Sequence, residues 1–138
     1  MTARILGVGV VGCGDRSPHH LASWAKLPNT RLVATCDLIE GLASSAVQTY
    51  GAEAWYTDYR ELIARDDIDI VDVITPTHVH TAPTILALES GKHVLCEKAI
   101  APTIQDANAM VETAHKTGLR LMINENTIFH PAYQKVSI

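Results

Sequence analysis

Short apolar runs alternate along this chain with stretches of helical periodicity, and turn residues separate the two. Ile5 to Val11 is the first apolar run and predicts a strand. Ser17-Pro18 then reads as a helix N-cap followed by proline at the first helical position. Leu21, Trp24 and Ala25 give that helix an apolar face, and Pro28-Asn29 ends it. Arg31 to Cys36 predicts a second strand, closed by Asp37. A helix through Ala43, Ala46 and Val47 follows, with Gly51 as its C-cap. Ala54 to Tyr56 is a short third strand, and Asp58 caps a short helix carrying Leu62 and Ile63. Ile68 to Ile74 is the fourth strand. Asp69 and Asp72 interrupt its apolar positions, which places them at a strand end or on a partly solvated face. Thr75-Pro76 stops the strand. A helix from Thr81 to Ser90 ends at Gly91, and His93 to Cys96 is the fifth strand. Pro102 or Thr103 opens a long helix with the stripe Ile104, Ala107, Val111 and Ala114, ended by Gly118. Leu119 to Ile123 is the sixth strand.

Strands that alternate with helices in this way build a three-layer α/β fold around a doubly wound parallel sheet, expected in the order 3-2-1-4-5-6. Residues 1–123 then form one domain. Residues 124–138 read as the start of a second, because they end in an apolar, helix-compatible stretch, Ala132 to Ile138. Composition agrees. A chain of 138 residues with 47% hydrophobic and 5% aromatic residues fills its core with aliphatic side chains and alanine. The net charge is −4 with no basic run, which argues against nucleic acid as a partner. Cys13, Cys36 and Cys96 each lie in an apolar stretch and read as buried thiols of a reducing compartment. No run reaches the roughly 18 apolar residues of a membrane span. The glycines of the first strand break up any signal-peptide pattern, so a cytoplasmic location is expected.

Two glycine registers compete at the first turn. Gly7-Val-Gly9-Val-Val-Gly12 matches the dinucleotide fingerprint letter for letter, yet it would put Gly12 and Gly14 inside a helix at ~1 kcal/mol each. Gly12-Cys13-Gly14-Asp15-Arg16-Ser17 follows a full-length strand and precedes the helix start, and is the better register. Gly12 supplies the turn, Gly14 lets the backbone approach a pyrophosphate, and helix N–H groups face the phosphate oxygens. Ser17 replaces the third glycine, which predicts looser helix-to-strand packing. Asp15 carries charge of the same sign as the phosphates, and Arg16 offsets it. Asp37 ends the second strand 25 residues after Gly12, where an acid accepts hydrogen bonds from adenosine ribose hydroxyls. Its alternative is a helix-capping or turn role.

At Thr75-Pro-Thr-His-Val-His80 and Cys96-Glu97-Lys98 the chain resembles the Gfo/Idh/MocA family of glucose–fructose oxidoreductase and inositol dehydrogenase. The Gly12-Cys13-Gly14 turn, Asp37 and the stretch from Asn126 to Lys135 belong to the same likeness, in order and at compatible spacing. The resemblance implies a Rossmann domain binding NAD, with NADP possible, followed by an α/β domain. It implies hydride transfer at a carbinol carbon of a sugar, cyclitol or related polyol. It places Thr75, Pro76 and His80 along the cofactor, Glu97 as a support for loop and cofactor, and Lys98 as the catalytic group at the reacting hydroxyl. Asn124 and Asn126 follow the sixth strand and are candidates to touch nicotinamide or substrate, with turn roles as the alternative. The family's other catalytic residues, a histidine and an aspartate, lie in the second domain. Ala99 departs from the family's usual proline, which shapes the turn that aims the lysine.

His78 and His80 lack an obvious third ligand, so no metal site is assigned. His19-His20 reads as a solvated helix start. Three functions stay in play: the cofactor half of a hydride-transferring, homo-oligomeric enzyme; a non-catalytic dinucleotide module or sensor; and a fold binding S-adenosylmethionine. The Glu97-Lys98 pair and the loop from Thr75 to His80 argue against the third.

Overall fold

The structure, a computed structural model, describes residues 4–126. Six strands form one sheet in the order β3-β2-β1-β4-β5-β6. They are β1 (Leu6–Val11), β2 (Thr30–Cys36), β3 (Ala54–Tyr56), β4 (Ile70–Val73), β5 (His93–Glu97) and β6 (Leu121–Asn124). Every pairing is parallel. The connecting helices are α1 (Ser17–Lys26), α2 (Glu40–Tyr50), α3 (Tyr59–Ile63), α4 (Thr81–Glu89) and α5 (Ile104–Thr117). A 3-10 turn, Thr77–Val79, lies in the loop before α4 and was not predicted from the sequence.

Right-handed crossovers put α1 and α2 on one face of the sheet and α3, α4 and α5 on the other. The strands alternate accordingly. Val11, Val71, Val73, Val94 and Cys96 pack with Leu62, Leu88 and Met110 on the α4 face. Val8, Val10, Leu32 and Ile74 pack with Leu21 and Ala46 under α1 and α2. Gly7 and Gly9 lie within β1. A Cβ at Gly9 would come within 2.6 Å of Leu62, and one at Gly7 within 1.8 Å of the Asp67 carbonyl. The decoy glycines are therefore packing residues, and the second register is the structural one.

The end signals act as expected at most termini. Gly51 and Gly118 are left-handed C-caps, and Asp58 and Thr103 accept from the N–H groups of Arg60 and Asp106. At α1 the cap is displaced by one residue. Arg16 is the N-cap, and Ser17 lies inside the helix with its hydroxyl donating to the Gly14 carbonyl at 2.7 Å. Ser17 is only 3% exposed, so the helix packs closely here rather than loosely. Asp69 does lie just before its strand and accepts from Gly7 N–H. Asp72 does not fit the expectation of partial solvation. It stands between Val71 and Val73, points to the opposite face beneath α1, and is wholly buried.

Candidate dinucleotide site

Because all strands run parallel, their C-terminal ends share one edge of the sheet, and ligands of such sheets bind there. Gly12 ends β1 with φ of +102°, and a Cβ on it would come within 2.8 Å of the Ile74 backbone. Only glycine makes this turn without strain. Gly14, two residues on, faces open space with nothing within 4 Å of where a Cβ would lie. That space opens in front of the N-terminus of α1, beside the exposed Asp15 and Arg16. It leaves room for a phosphate group next to the positive end of a helix dipole.

Asp37 ends β2. One carboxylate oxygen accepts from Cys13 N–H at 2.8 Å and the other from Ile39 N–H at 2.9 Å. The carboxylate thus fixes the glycine turn to the second strand. Each oxygen has a second lone pair left for a hydroxyl donor. Arg31 is at the opposite end of β2, paired with Glu53 and Asp67, and supplies no charge to this corner.

At the end of β4, Thr75 has a buried hydroxyl with no hydrogen-bond partner among the described residues. Buried polar atoms are ordinarily paired, and Thr75 shares this state with Asp72 Oδ1 and the hydroxyls of Thr81 and Thr84. Pro76 and His78 are exposed. His80 is wholly buried, and its ring nitrogens lie 2.7 Å from the Thr75 carbonyl and 2.9 Å from the Ala99 carbonyl. His80 therefore braces the loop after β4 against the segment after Lys98. It does not share a face with His78. The Lys98–Ala99 peptide bond is cis. Lys98 itself is exposed at the end of β5.

A cavity of about 290 Å³ lies between α1 and the ends of β5 and β6. Arg16, His20, Trp24, Glu97, Asn124 and Asn126 line it. Its wall holds a buried polar network that the sequence reading missed, having assigned His20 to solvent. His20 Nδ1 lies 2.8 Å from Asp72 Oδ2, and Nε2 lies 2.9 Å from Glu97 Oε1. Trp24 Nε1 donates to the same Asp72 oxygen at 2.6 Å, and the Asn124 amide donates to Glu97 Oε1 at 2.6 Å. The Asn124 nitrogen is also 3.3 Å from His20 Nε2. The shorter contact, to an atom that can only accept, decides where its proton goes. Burial works against a charged His20 ring, but the hydrogen bonds and charges of Asp72 and Glu97 outweigh it and raise its pKa. Burial likewise works against Glu97, and the bonds from Asn124 and His20 overcome it, so its carboxyl titrates below the ordinary range. A signal was present in the sequence. Asp72 interrupts a central strand, and His20 and Trp24 are one helical turn apart on the side of α1 that also carries Leu21.

The three thiols are buried and unreactive, each pushed up to about 12 with burial as the largest cause. No described helix is long and apolar enough to cross a membrane.

Residues 6–125 match the family described as "Oxidoreductase family, NAD-binding Rossmann fold". The chain belongs to the Gfo/Idh/MocA family. Among its relatives is a D-apiose dehydrogenase of Paraburkholderia graminis, 34% identical over 92% of this chain and 34% of the relative. Another is a glycosyl hydrolase family 109 protein of Shewanella sp., 36% identical over 88% of this chain and 28% of the relative. The WlbA dehydrogenase of Chromobacterium violaceum, solved with NADH and UDP-GlcNAcA, superposes with a TM-score of 0.92 at 28% identity. It is matched over 99% of this chain and 39% of its own. The chain thus spans about a third of the length of the relatives it matches. The positive-φ turn at Gly12, the open space at Gly14 and the carboxylate of Asp37 after β2 leave room for the family's dinucleotide.

Proposed function

We propose that this chain is the cofactor half of an oxidoreductase that moves a hydride between a nicotinamide and a sugar, cyclitol or related polyol. One observation carries the reading. The Gly12 turn, Asp37 and the Glu97-Lys98 pair come from separate strands and meet on one sheet edge. In this reading Gly12, Gly14, Asp15, Arg16 and Ser17 form the pyrophosphate turn, and Asp37 receives the adenosine ribose. Thr75 and Pro76 flank the cofactor, with His80 bracing them from behind. Glu97 and Asn126 lie at the nicotinamide end. Bound NAD supplies the hydride acceptor. Lys98 Nζ hydrogen-bonds the reacting hydroxyl, takes its proton during oxidation and returns it during reduction. Residues 1–123 form the dinucleotide domain and residues 124–138 lead into a substrate and oligomerisation domain. The protein works in the cytoplasm as a homo-oligomer.

The test is a titration of the chain with NADH, NADPH and S-adenosylmethionine, followed by turnover assays on a panel of polyols and glycosides. The glycosides are included because of the family 109 relatives. Tight NADH binding with turnover once a second domain is joined supports the enzyme. Binding without turnover in that longer protein moves the reading to a dinucleotide sensor.

A further inference from the structure

His20, Trp24 and Asp72 have no part in the roles assigned above, and through Glu97 they link α1 to the segment that carries Lys98. His20 is on α1, the helix whose N-terminus faces the phosphate cradle. Its two ring nitrogens reach carboxylates on β4 and β5, Asp72 and Glu97. Asn124 extends the network to β6 through the same Glu97 oxygen. The side chains are 10% exposed for His20, 0% for Asp72 and 13% for Glu97, so solvent screens little of it. A carboxylate only accepts. To satisfy both contacts, His20 must donate from both ring nitrogens at once.

We propose that His20 is a positioning residue: held between Asp72 and Glu97, it locks the phosphate-loop helix to the ends of β4, β5 and β6 and thereby fixes the Glu97–Lys98 segment. The proposal rests on the reading that this segment lies at the nicotinamide. Among the described residues, His20 is the side chain of α1 that hydrogen-bonds to both β4 and β5. Asp72 and Glu97 are the anionic groups facing the ring from the sheet. Arg16 and His19 are the other titratable or charged groups of α1 on the same cavity, and Trp24 and Asn124 are neutral.

Nitrogen-15 spectra of the histidine rings test the clamp in the unaltered chain, with His20→Asn identifying the signal. Both His20 nitrogens are expected to carry protons at pH 6.5 and above, and Glu97→Gln is expected to lower the midpoint. A neutral ring below pH 6.5 overturns the proposal. Fluorescence titration with NADH across the same pH range tests the positioning role. The unaltered chain is expected to lose affinity by between roughly 2- and 30-fold as pH rises through that midpoint. His20→Asn and His20→Gln are expected to be weak throughout and to show no step. Circular dichroism establishes that each variant is folded. If the unaltered chain binds NADH and both variants share its affinity and pH profile, the positioning role is gone while the dinucleotide site stands. If the unaltered chain binds no NADH at any pH, the dinucleotide reading fails and takes the positioning role with it.

Discussion

Asp37 and His20 show how differently single residues announce themselves. Asp37 follows a strand, 25 residues after the glycine turn, and that spacing makes it a candidate for the ribose. In the structure its two oxygens also hold the turn through Cys13 and Ile39. Asp37→Ala should weaken NAD binding by roughly ten- to hundredfold, since hydrogen bonds to a charged group are worth ~1.5–3 kcal/mol. NADPH should lose less, because its phosphate no longer meets a like charge; equal affinity of the variant and parent for NADH, by fluorescence titration, would remove Asp37 from the site. His20 was hidden because its partners are 52 and 77 residues away in sequence. Its network has a definite pH signature. Glu97 titrates below its ordinary 4.5 in the folded chain, so its contribution is present above 4.5 and lost as pH falls further. His20 titrates above its ordinary 6.5, so its contribution is full below 6.5 and lost as pH rises through the folded value. The difference in stability between parent and His20→Gln should therefore be greatest from 4.5 to 6.5 and shrink on either side. Urea midpoints measured across pH decide this, and a difference that stays constant above 6.5 contradicts it.

At the scale of elements, the four glycines near β1 divide into two kinds, and substitution should separate them. Gly7 and Gly9 are packed from within the strand. Gly9→Ala must displace the ends of Leu62 and Ile68, at about 1–3 kcal/mol. Gly7→Ala meets the Asp67 backbone at 1.8 Å and should cost more. Gly14→Ala meets nothing within 4 Å, so its stability should stay within about 0.5 kcal/mol of the parent. Yet it should lose NADH affinity, because the methyl group enters the phosphate cradle. Thermal melts and NADH titrations of the same proteins check both halves. Unaltered NADH binding by Gly14→Ala would remove Gly14 from the phosphate site. The element order was legible for a physical reason. Parallel strands buried on both faces read as aliphatic runs, and Gly51, Asp58, Thr103 and Gly118 mark helix ends through local backbone chemistry. The 3-10 turn at Thr77–Val79 was not legible, because its bracing runs through His80 to the carbonyl of Ala99, 19 residues further on. Nor was the displaced cap at α1, where Arg16 takes the N-cap position predicted for Ser17.

At the scale of the molecule, the described residues supply one wall of the proposed site. The strand ends, the glycine turn and Lys98 are all present, and Lys98 is exposed on that wall. Hydride transfer requires the carbinol carbon held close to the nicotinamide in a space shielded from water. Nothing described between residues 4 and 126 closes over Lys98 to provide that shield. Some apolar side chains are also left open: Leu95 is only partly buried, Met122 is 56% exposed and Leu27 is 45% exposed. Covering such side chains is favourable. The 138-residue chain alone should therefore bind NADH, self-associate, and reduce NAD with no polyol at a rate typical of dehydrogenases. Joined to a second domain it should turn over, and Lys98→Met should then lower turnover on the order of 10²–10⁴-fold while NADH binding persists, as expected for an acid–base group. Light scattering paired with the polyol assay separates the two parts. A monomer that is fully active as this chain alone would show that the first wall is the whole active site.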